Sequence, residues 1–480
     1  MKHVPIVIGN RPTDGAERID VISPASGEPV ATMALAGIGD LDEAVSTARR
    51  AVDALAAMTI RERAAKVAKV ADLMERDLES IARDLANEQG KPINEARDEV
   101  AVAAEMWRDA AQIGRHMTDR ILPSDHPDRA VITVRRPHGV LGVITPWNFP
   151  ATIPTEYLCA GLVAGNAIVW KPSELTPVTA LRILECIQEA DFPEGSVNLV
   201  PGMGRDIGAG IAAHAGIDAI GFTGSPATGR SITATAGPKP LLLELGGNNA
   251  TVVLADVDID EAARRLRSAV FANAGQICSS TERIIVERPV YDELAEALAA
   301  HARQLRLGPS LDEMTTIGPL NNEATAAKVE AHINDAAERG ATVLTGGRRA
   351  ADRPTDLYFE PSVLTGLEPH MKAFREETFG PVAMLMPFDE LTEAAHLVND
   401  HGLGLVAGVL GTDTTRAMDL GRRLRAGIVN IGEVATAWQH HSPFGGYSGR
   451  ASGVGRIGGR YSIEELSQTQ TFVVPARTMP

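Results

Sequence analysis

The fold is indicated most clearly between residues 139 and 245, where four short apolar runs stand out: GVLGVIT (139–145), NAIVWK (166–171), AIGFT (219–223) and LLLEL (241–245). The runs 131–135 and 196–201 belong to the same series, and helical patterns such as 177–189 lie between them. Short apolar strands that alternate with helices are typical of a parallel sheet with helices on its faces. We therefore predict an α/β fold for this part of the chain.

The flanking segments extend this prediction in both directions. Residues 41–117 carry apolar side chains at helical spacing, with one break at Gly90, Lys91 and Pro92. A second series starts at 251–255 and continues with a strand at 282–287 and helices at 291–305 and 324–340, so we expect a second α/β unit over about 247–445. The strand-like run 469–474 stands alone, and we expect it to pair with its own chain or with a partner subunit.

The composition argues against several classes of protein. The chain has 480 residues with 46 Lys and Arg against 62 Asp and Glu, which gives a net charge of −16. Nucleic acids and anionic membranes both need a basic protein surface. None of the three cysteines is in CxxC spacing, which predicts a reducing compartment, and no apolar run approaches the ~18 residues of a membrane span. We expect a cytoplasmic protein that binds neither nucleic acid nor membrane.

Two glycine patterns differ in what they indicate. The GxGxxG pattern at Gly453, Gly455 and Gly458 lacks the preceding strand and following helix of a dinucleotide fingerprint, so we interpret it as local turn structure. The stretch GSPATG (224–229) follows the run 219–223 and opens a helical stretch. Free N–H groups at a helix start attract phosphate, although an ordinary strand–helix turn has the same pattern.

One cysteine lies in a polar, turn-like setting. Cys278 is part of FANAGQICSS (271–280), with Gly275 and Gln276 before it and two serines after it. An isolated cysteine is more often a small core residue, which is our interpretation of Cys159 and Cys186. A thiolate is a strong nucleophile toward a carbonyl carbon, and the surroundings of Cys278 favour that function.

Three further polar residues have two interpretations each. Glu244 ends an apolar strand, where it is either a structural ion partner or a general base with a raised pKa. Asn148 lies in the stiff turn TPWNFP (145–150), where it either bonds its own turn or donates to an oxyanion. Lys171 ends a strand, where it is either solvated or directed at a ligand crevice.

Seven motifs in a fixed order make the chain resemble a known family. They are TPWNFP (145–150), KPSELTP (171–177), FTGSPATG (222–229), LELGG (243–247), FANAGQIC (271–278), EETFGP (376–381) and PFGG (443–446). In these motifs and their spacing, the chain is similar over essentially its whole length to the NAD(P)-dependent aldehyde dehydrogenase superfamily. The resemblance implies a Rossmann-like parallel-sheet NAD-binding domain (1–117 and 138–246), an α/β catalytic domain (247–460) and a small bridging β element for oligomerisation (118–137 and 461–480).

The resemblance also implies roles for single residues. Cys278 resembles the nucleophile that adds to the aldehyde as a thiohemiacetal, and Asn148 with the Cys278 N–H resembles the oxyanion hole. Glu244 resembles the base that activates water to hydrolyse the thioester left after hydride transfer. The implied cofactor-binding residues are Thr145, Trp147, Lys171, Ser173, Glu174, Thr223, Gly224, Ser225, Gly229, Leu245, Glu377 and Phe379.

The cofactor implied is NAD rather than NADP. A carboxylate at Glu174 can accept a hydrogen bond from a ribose 2′-hydroxyl and would repel a 2′-phosphate. The sequence contains no cluster of metal-binding side chains at ligand spacing, so we expect no metal.

The substrate-side positions depart further from the family. The projected tunnel residues are Phe149, Ile153, Glu156, Tyr157, Ile277, Ser279, Trp438 and Phe444. Trp438 and Phe444 suit an aromatic or apolar aldehyde, whereas Glu156 would disfavour an aldehyde that bears a carboxylate. Asn248 stands where many members carry Lys. The tail PFGGYSGRASGVGR (443–456) lacks a lysine that the family has there and is two residues longer than usual. This tail is somewhat similar to that of the members that act on aromatic aldehydes.

Alternative functions remain open at this point. A CoA-acylating aldehyde dehydrogenase typically lacks the general-base glutamate, and Glu244 is present here. A catalytically silent member of the fold would not need Cys278, Glu244 and Asn148 together. The resemblance also implies a homodimer or homotetramer.

Overall fold

The computed structural model describes residues 1–476. Its strands are β1 (Lys2–Val4), β2 (Ile6–Ile8), β3 (Arg11–Thr13), β4 (Glu17–Ile22), β5 (Pro29–Leu35), β6 (Arg120–Leu122), β7 (Arg129–Pro137), β8 (Val140–Ile144), β9 (Ala167–Lys171), β10 (Val197–Leu199), β11 (Ala219–Gly224), β12 (Leu241–Leu245), β13 (Asn249–Val253), β14 (Thr281–Glu287), β15 (Thr342–Thr345), β16 (Ser362–Thr365), β17 (Val382–Phe388), β18 (Val406–Leu410), β19 (Ile428–Ile431), β20 (Gly453–Val454) and β21 (Ser467–Pro475).

The helices follow the same order along the chain. They are α1 (Ile38–Ala57), α2 (Ile60–Arg76), α3 (Leu78–Gln89), α4 (Ile93–Arg115), α5 (Thr152–Ala164), α6 (Pro177–Glu189), α7 (Ala209–Ala213), α8 (Pro226–Ala236), α9 (Ile259–Phe271), α10 (Tyr291–Arg303), α11 (Glu323–Glu338), α12 (Lys372–Arg375), α13 (Leu391–Asn399), α14 (Thr414–Gly421) and α15 (Arg460–Glu465). None of the helices within residues 1–476 has both the length and the apolar surface needed to cross a membrane.

The first sheet brings the predicted site motifs to one edge. Its order is β20-β12-β11-β8-β9-β10-β2-β3, and the five strands from β12 to β10 are parallel. Ile144 pairs with Lys171, and Thr223 pairs with Glu244, so these strands end at nearly the same level. Because the carboxyl ends of parallel strands share one edge, Thr145, Lys171 and Glu244 are neighbours there.

The second sheet carries the Cys278 loop at the amino ends of its strands, whereas the first sheet carries its site motifs at the carboxyl ends. Its order is β15-β16-β17-β14-β13-β18-β19, and all of its pairs except β15–β16 are parallel. Asn249 at the start of β13 pairs with Thr281 at the start of β14, so the loop that carries Cys278 lies at the amino edge of this sheet. The confirmed α/β architecture thus consists of two mainly parallel sheets, each surrounded by its own hydrophobic core.

Two small sheets complete the fold. Strand β21 pairs with β7 along its whole length, from Ser467 with Pro137 to Pro475 with Arg129, and β6 lies on the other side of β7. The run 131–135 therefore belongs to this antiparallel sheet and not to the parallel series in which we had placed it. The terminal strand pairs with its own chain, as one of our two alternatives held, while residues 477–480 of the bridging element lie outside the described residues.

The N-terminal region contained strands that we did not predict. Strands β1, β5 and β4 form a separate sheet, whereas β2 and β3 extend the first parallel sheet. The helical prediction for 41–117 was correct, because α1 to α4 occupy it and α3 ends at Gly90 with φ 101°. Strand β20, from the segment that we had grouped with the catalytic domain, pairs with β12 of the first sheet.

Candidate active site

The Cys278 loop has an unusual backbone conformation. After α9 ends at Phe271, Asn273, Ala274 and Gly275 have φ angles of 48°, 53° and 73°. The left-handed region is costly for residues with a Cβ, so Asn273 and Ala274 in succession require support from outside the loop. A Cβ on Gly275 would lie 2.0 Å from Gly380 O, and this position therefore accepts only glycine.

Distant polar groups supply that support. Glu95 on α4 accepts a hydrogen bond from Asn273 N at 2.9 Å, and the Gln276 side chain donates to Asn273 O at 2.9 Å and accepts from Asn321 N at 2.8 Å. Asn249 Nδ2 donates to Cys278 O at 2.7 Å. These bonds hold Cys278 at a defined place between the two sheets.

Cys278 is half-buried and its thiol is uncharged at neutral pH. Burial raises the pKa of the Cys278 thiol to about 12, and the negative charges of Glu377 and then Glu244 add to this effect. Both carboxylates therefore act on the sulfur through their charge. A thiol in these surroundings becomes a nucleophile only when its proton is removed.

Asn148 is joined directly to the Cys278 loop. Its Nδ2 donates to Gln276 O at 3.0 Å, and its backbone carbonyl oxygen accepts from Asn273 Nδ2 at 3.0 Å. An amide nitrogen carries two hydrogens, so one remains for a ligand near Cys278. The interpretation of Asn148 as a residue that only bonds its own turn is therefore wrong.

A buried ion pair that we did not predict holds the turn around Asn148. Lys91 Nζ lies 2.5 Å from Glu99 Oε2, and both side chains are 1% exposed. Lys91 also donates to Asn148 O at 3.0 Å and lies 3.9 Å above the Phe149 ring, and Glu99 accepts from Ala151 N at 2.8 Å. The sequence pattern at Lys91 indicated only a helix end, and no local spacing connects it with Glu99 or Asn148.

Glu244 is buried without a hydrogen-bond partner. The residue is 3% exposed, and neither carboxylate oxygen has a partner among residues 1–476. Burial raises the pKa of Glu244 well above its usual value, Arg456 opposes this, and Glu156 and Glu465 raise it further. A Cβ on Gly445 would lie 2.9 Å from Glu244 Oε1, so the segment after Phe444 closes over the carboxylate. A carboxyl group with a raised pKa is a stronger base than usual when it is ionised, so the ionised form of Glu244 can accept a proton.

Several cofactor candidates lie along the edge of the first sheet. Lys171 Nζ donates to Glu174 Oε2 at 2.9 Å, and Lys171 is buried while Glu174 is partly exposed. Thr145 Oγ1 accepts from Trp170 Nε1 at 3.0 Å, and Ser173 Oγ accepts from Leu175 N at 3.2 Å. Lys171 is thus neither freely solvated nor alone, which removes one of our two interpretations.

The turn 224–229 forms the start of α8. Ser225 Oγ accepts from Thr228 N at 3.2 Å and so caps the helix. A Cβ on Gly229 would lie 2.7 Å from Leu245 Cδ1, so glycine lets α8 approach the end of β12. Thr223 is placed differently, because its Oγ1 shares a 2.7 Å hydrogen bond with the Tyr157 hydroxyl.

Glu377 and Phe379 are held by a second buried carboxylate that we did not predict. Glu282 accepts from Thr378 N at 2.6 Å and Phe379 N at 2.7 Å, and Phe379 has φ 61°. Glu377 accepts from Gly247 N at 3.0 Å, and the Phe379 ring meets the Trp147 ring edge-on at 5.7 Å. The sequence indicated Glu282 only as a strand residue.

The projected tunnel residues divide into two groups. Ile153 and Trp438 pack with Cys278 on the core that contains Phe444, and the Trp438 and Phe444 rings lie 5.3 Å apart. Phe149 and Ile277 are half-buried and Ser279 is buried. The placement of Tyr157 in the tunnel is corrected, because this residue has no exposed surface and packs beneath Gly221. Glu156 also points elsewhere, since its Oε2 accepts from Gly458 N at 3.2 Å and Ser462 Oγ at 2.9 Å.

The chain is similar to known proteins along almost its whole length. The model of the aldehyde dehydrogenase family matches residues 11–472. The chain is 35% identical to a glutarate-semialdehyde dehydrogenase of Pseudomonas putida and 36% identical to an NADP(+) succinate-semialdehyde dehydrogenase of Escherichia coli, each alignment covering 96% of this chain and 95% of the relative.

Solved structures give the same result. An NAD-dependent aldehyde dehydrogenase from Sinorhizobium meliloti superposes with a TM-score of 0.96 at 37% identity, over 100% of this chain and 96% of the other. PnpE in complex with nicotinamide adenine dinucleotide superposes with a TM-score of 0.96 at 33% identity, over 99% and 98%. The sequence motifs, the two-sheet fold and these similarities lead to one conclusion: the chain belongs to the aldehyde dehydrogenase family.

Proposed function

We propose that this enzyme oxidises an aldehyde to its carboxylic acid with NAD and hydrolyses the acyl intermediate with water. The observation that carries the proposal is the direct bond from Asn148 to the Cys278 loop beside a buried, unpartnered Glu244. A nucleophile, an amide donor and a carboxylate base are the three groups that acyl formation and hydrolysis require.

The residues along the first sheet edge fit a dinucleotide. Lys171 and Glu174 offer a cation and a carboxylate for ribose hydroxyls, the α8 start offers backbone N–H groups for phosphate, and Glu377 offers a second carboxylate. Bound there, a nicotinamide ring supplies the acceptor for the hydride that leaves the substrate carbon. Trp147 and Phe379 would shield the nicotinamide ring from water.

The chemistry of the protein groups follows in two stages. The Cys278 thiol passes its proton to water, its sulfur bonds to the aldehyde carbon, and the π electrons of the C=O bond move to the oxygen. The resulting oxyanion accepts hydrogen bonds from Asn148 Nδ2 and Cys278 N. After hydride loss leaves a thioester, Glu244 takes a proton from water, and the water oxygen bonds to the acyl carbon. The carbon–sulfur bond then breaks and its electron pair stays on sulfur, which releases the carboxylic acid and the Cys278 thiolate. Uptake of one proton by this thiolate regenerates the thiol.

We propose an aromatic or other apolar aldehyde as the substrate. Phe149, Ile153, Trp438 and Phe444 are apolar, and none of the projected tunnel residues is Arg or Lys. The names of the two semialdehyde dehydrogenase relatives describe substrates with a carboxylate, for which this tunnel offers no cation. Specificity of an apolar pocket is shallow, about 1–3 kcal/mol per methylene group, so we expect several related aldehydes to react.

We propose NAD preference because Glu174 is already bonded to Lys171 and would meet a 2′-phosphate with negative charge. The E. coli relative named as NADP-dependent makes this a sharp test. A higher kcat/KM with NADP than with NAD would refute it.

The experiment is NADH formation with a panel of aromatic, short aliphatic, hydroxylated and carboxylated aldehydes. Each is run with NAD and with NADP, in the wild type, the Cys278→Ala variant and the matched control Cys186→Ala, which removes a buried core thiol. Cys278-dependent turnover without CoA supports the proposal. Turnover that requires CoA would assign the acylating branch, and no turnover together with no Cys278-dependent hydrolysis of p-nitrophenyl acetate would indicate a silent fold.

We further propose that residues 118–137 and 461–480 bridge subunits of a homodimer or homotetramer. Apolar side chains on this sheet are exposed, including Ile121 at 67% and Val473 at 61%. If deleting residues 466–480 leaves the assembly size unchanged in light scattering, this proposal fails.

A further inference from the structure

Glu156 is a buried carboxylate that the proposed reaction does not use. It lies on α5 and is 5% exposed. Its Oε2 accepts hydrogen bonds from Gly458 N and Ser462 Oγ, but its Oε1 has no partner among residues 1–476. A buried oxygen without a partner costs free energy, so its presence in the folded protein needs an explanation, and a catalytic role is one.

A small cavity lies beside this carboxylate and leads toward the surface. Its lining includes Met106, Cys159, Ser462, Asp109 and His440 together with Glu156, and it has room for about one water molecule. At its outer end, His440 Nε2 lies 2.9 Å from Asp109 Oδ2, and these side chains are 24% and 38% exposed. The cavity thus connects a buried carboxylate with a solvent-accessible imidazole.

Glu156 and Glu244 lie on either side of one short piece of paired backbone. Gly458, which bonds Glu156, follows Ile457, and Ile457 pairs with Phe444 through backbone hydrogen bonds of 2.8 and 2.9 Å. Gly445, the next residue, abuts Glu244 Oε1. The two carboxylates therefore flank the same paired segment.

Thioester hydrolysis creates a need for such a connection. Each turnover breaks one O–H bond of water and leaves that proton on Glu244, which is 3% exposed. The proton must reach solvent before Glu244 can act again. Resting on the hydrolytic function proposed above, we propose that Glu156 passes this proton from Glu244 through the cavity to His440 and solvent.

The electrostatics of the pocket suit this transfer. Burial raises the pKa of Glu156 to about 7, while its hydrogen bonds from Ser462 and Gly458 oppose that shift. A carboxyl group with this pKa takes up and releases a proton near neutral pH. The charge of Glu156 in turn raises the pKa of Glu244. The titratable and charged groups around Glu156 are Asp109 on α4, His440 in the loop before Phe444, Glu244 on β12, and Tyr157 and Cys159 on α5 itself.

The test is Glu156→Gln, which keeps the size and an accepting oxygen but cannot carry a proton. With the best aldehyde and NAD, we expect kcat to fall about tenfold or more and a burst of about one NADH per active site to appear, because hydrolysis becomes limiting. The D2O effect on kcat should rise, and imidazole buffer should restore part of the rate. The control Glu464→Gln makes the same change at a partly exposed carboxylate of α15 that bonds Arg460 outside the cavity, and it should show no burst.

A second variant covers the case in which Glu156→Gln does not fold. His440→Asn changes a partly exposed residue. It should give the same rise in the D2O effect on kcat and the same partial recovery of the rate in imidazole buffer. Unchanged kcat and no burst in both variants would overturn the inference, as would a lower kcat with no burst and no rescue by buffer, which assigns a structural role. If instead the wild type makes no NADH and does not hydrolyse p-nitrophenyl acetate through Cys278, the proposed function itself has failed.

Discussion

The Cys278 loop and the turn at 224–229 both lie at a sheet edge, but they are held in different ways. The loop depends on groups far away in sequence: Glu95 lies 178 residues from Asn273, and Lys91 lies 57 residues from Asn148. The turn depends on Ser225 and Thr228, three residues apart. The reacting side of the site is therefore built from tertiary contacts and the phosphate side from a local helix start. Variants of the two regions should differ in the size and the kind of their effects.

The largest effect should come from Lys91→Met. This variant leaves Glu99 buried without its cation, so we expect a loss of about 3–5 kcal/mol in the free energy of unfolding, and a fall in kcat because Asn148 loses a support. Denaturant unfolding measures the first quantity and NADH formation the second. The control Arg288→Ala breaks an exposed ion pair with Asp389 and should cost at most about 1 kcal/mol. Equal effects of the two variants would contradict the buried support.

Asn148→Ala should be next. Loss of one oxyanion donor typically lowers kcat about 10²–10³-fold, while NAD affinity should stay near that of the wild type. Stopped-flow measurement of the NADH burst and fluorescence titration of NAD separate the two. Asn399→Ala, an exposed amide that bonds Arg423 O, is the control and should leave both unchanged. A rise in the Kd of NAD without a change in kcat would show that Asn148 acts elsewhere.

Glu282→Gln probes a carboxylate that acts on the cofactor side through long-range contacts. One amide oxygen replaces two oxygens that accept from Thr378 N and Phe379 N, so we expect NAD affinity to fall about tenfold as Glu377 shifts. Glu287→Gln, at the other end of β14, bonds Arg416 and should change stability but not the Kd of NAD. The same Kd in both variants would contradict the role of Glu282.

The pH dependence of Cys278 alkylation tests its surroundings. With a pKa raised to about 12, the thiolate fraction and the iodoacetamide rate should rise about tenfold per pH unit from pH 7 to 10 in the free enzyme. An ordinary thiol with a pKa of about 8.5 would level off within this range. A plateau below pH 9 would therefore show that the thiol is less buried than described. Cys278→Ala provides the background rate of the two core cysteines.

Ser225→Ala should have the smallest effect. Loss of the cap should lower stability by about 1 kcal/mol and weaken NAD binding slightly, because the helix start becomes less ordered. Asp258→Ala removes the cap of α9, which accepts from Glu261 N, and should cost the same stability without a change in NAD affinity. If Ser225→Ala destabilised the enzyme as much as Lys91→Met, the contrast between the two regions would be wrong.

Much of the site could be predicted from the sequence because its motifs are short and contiguous. The edge positions of Lys171, Glu244 and Cys278 follow from where their strands end or begin. The strand at 131–135 was misassigned because an apolar run does not reveal its pairing partner, and β7 pairs with β21 more than three hundred residues later. Tyr157 was misplaced because family position does not reveal which side of α5 faces the core.

The amino-acid sequence by itself determined the α/β class, the helical region 41–117 and the order of the seven motifs. These are properties of local periodicity and local residue types, which neighbours in sequence define. Only the tertiary structure decided that Lys91, Glu99, Glu95 and Glu282 support the site and that Glu156 faces a cavity beside His440. Buried polar groups must find partners wherever the chain provides them, and those partners lie at sequence separations that no local pattern records.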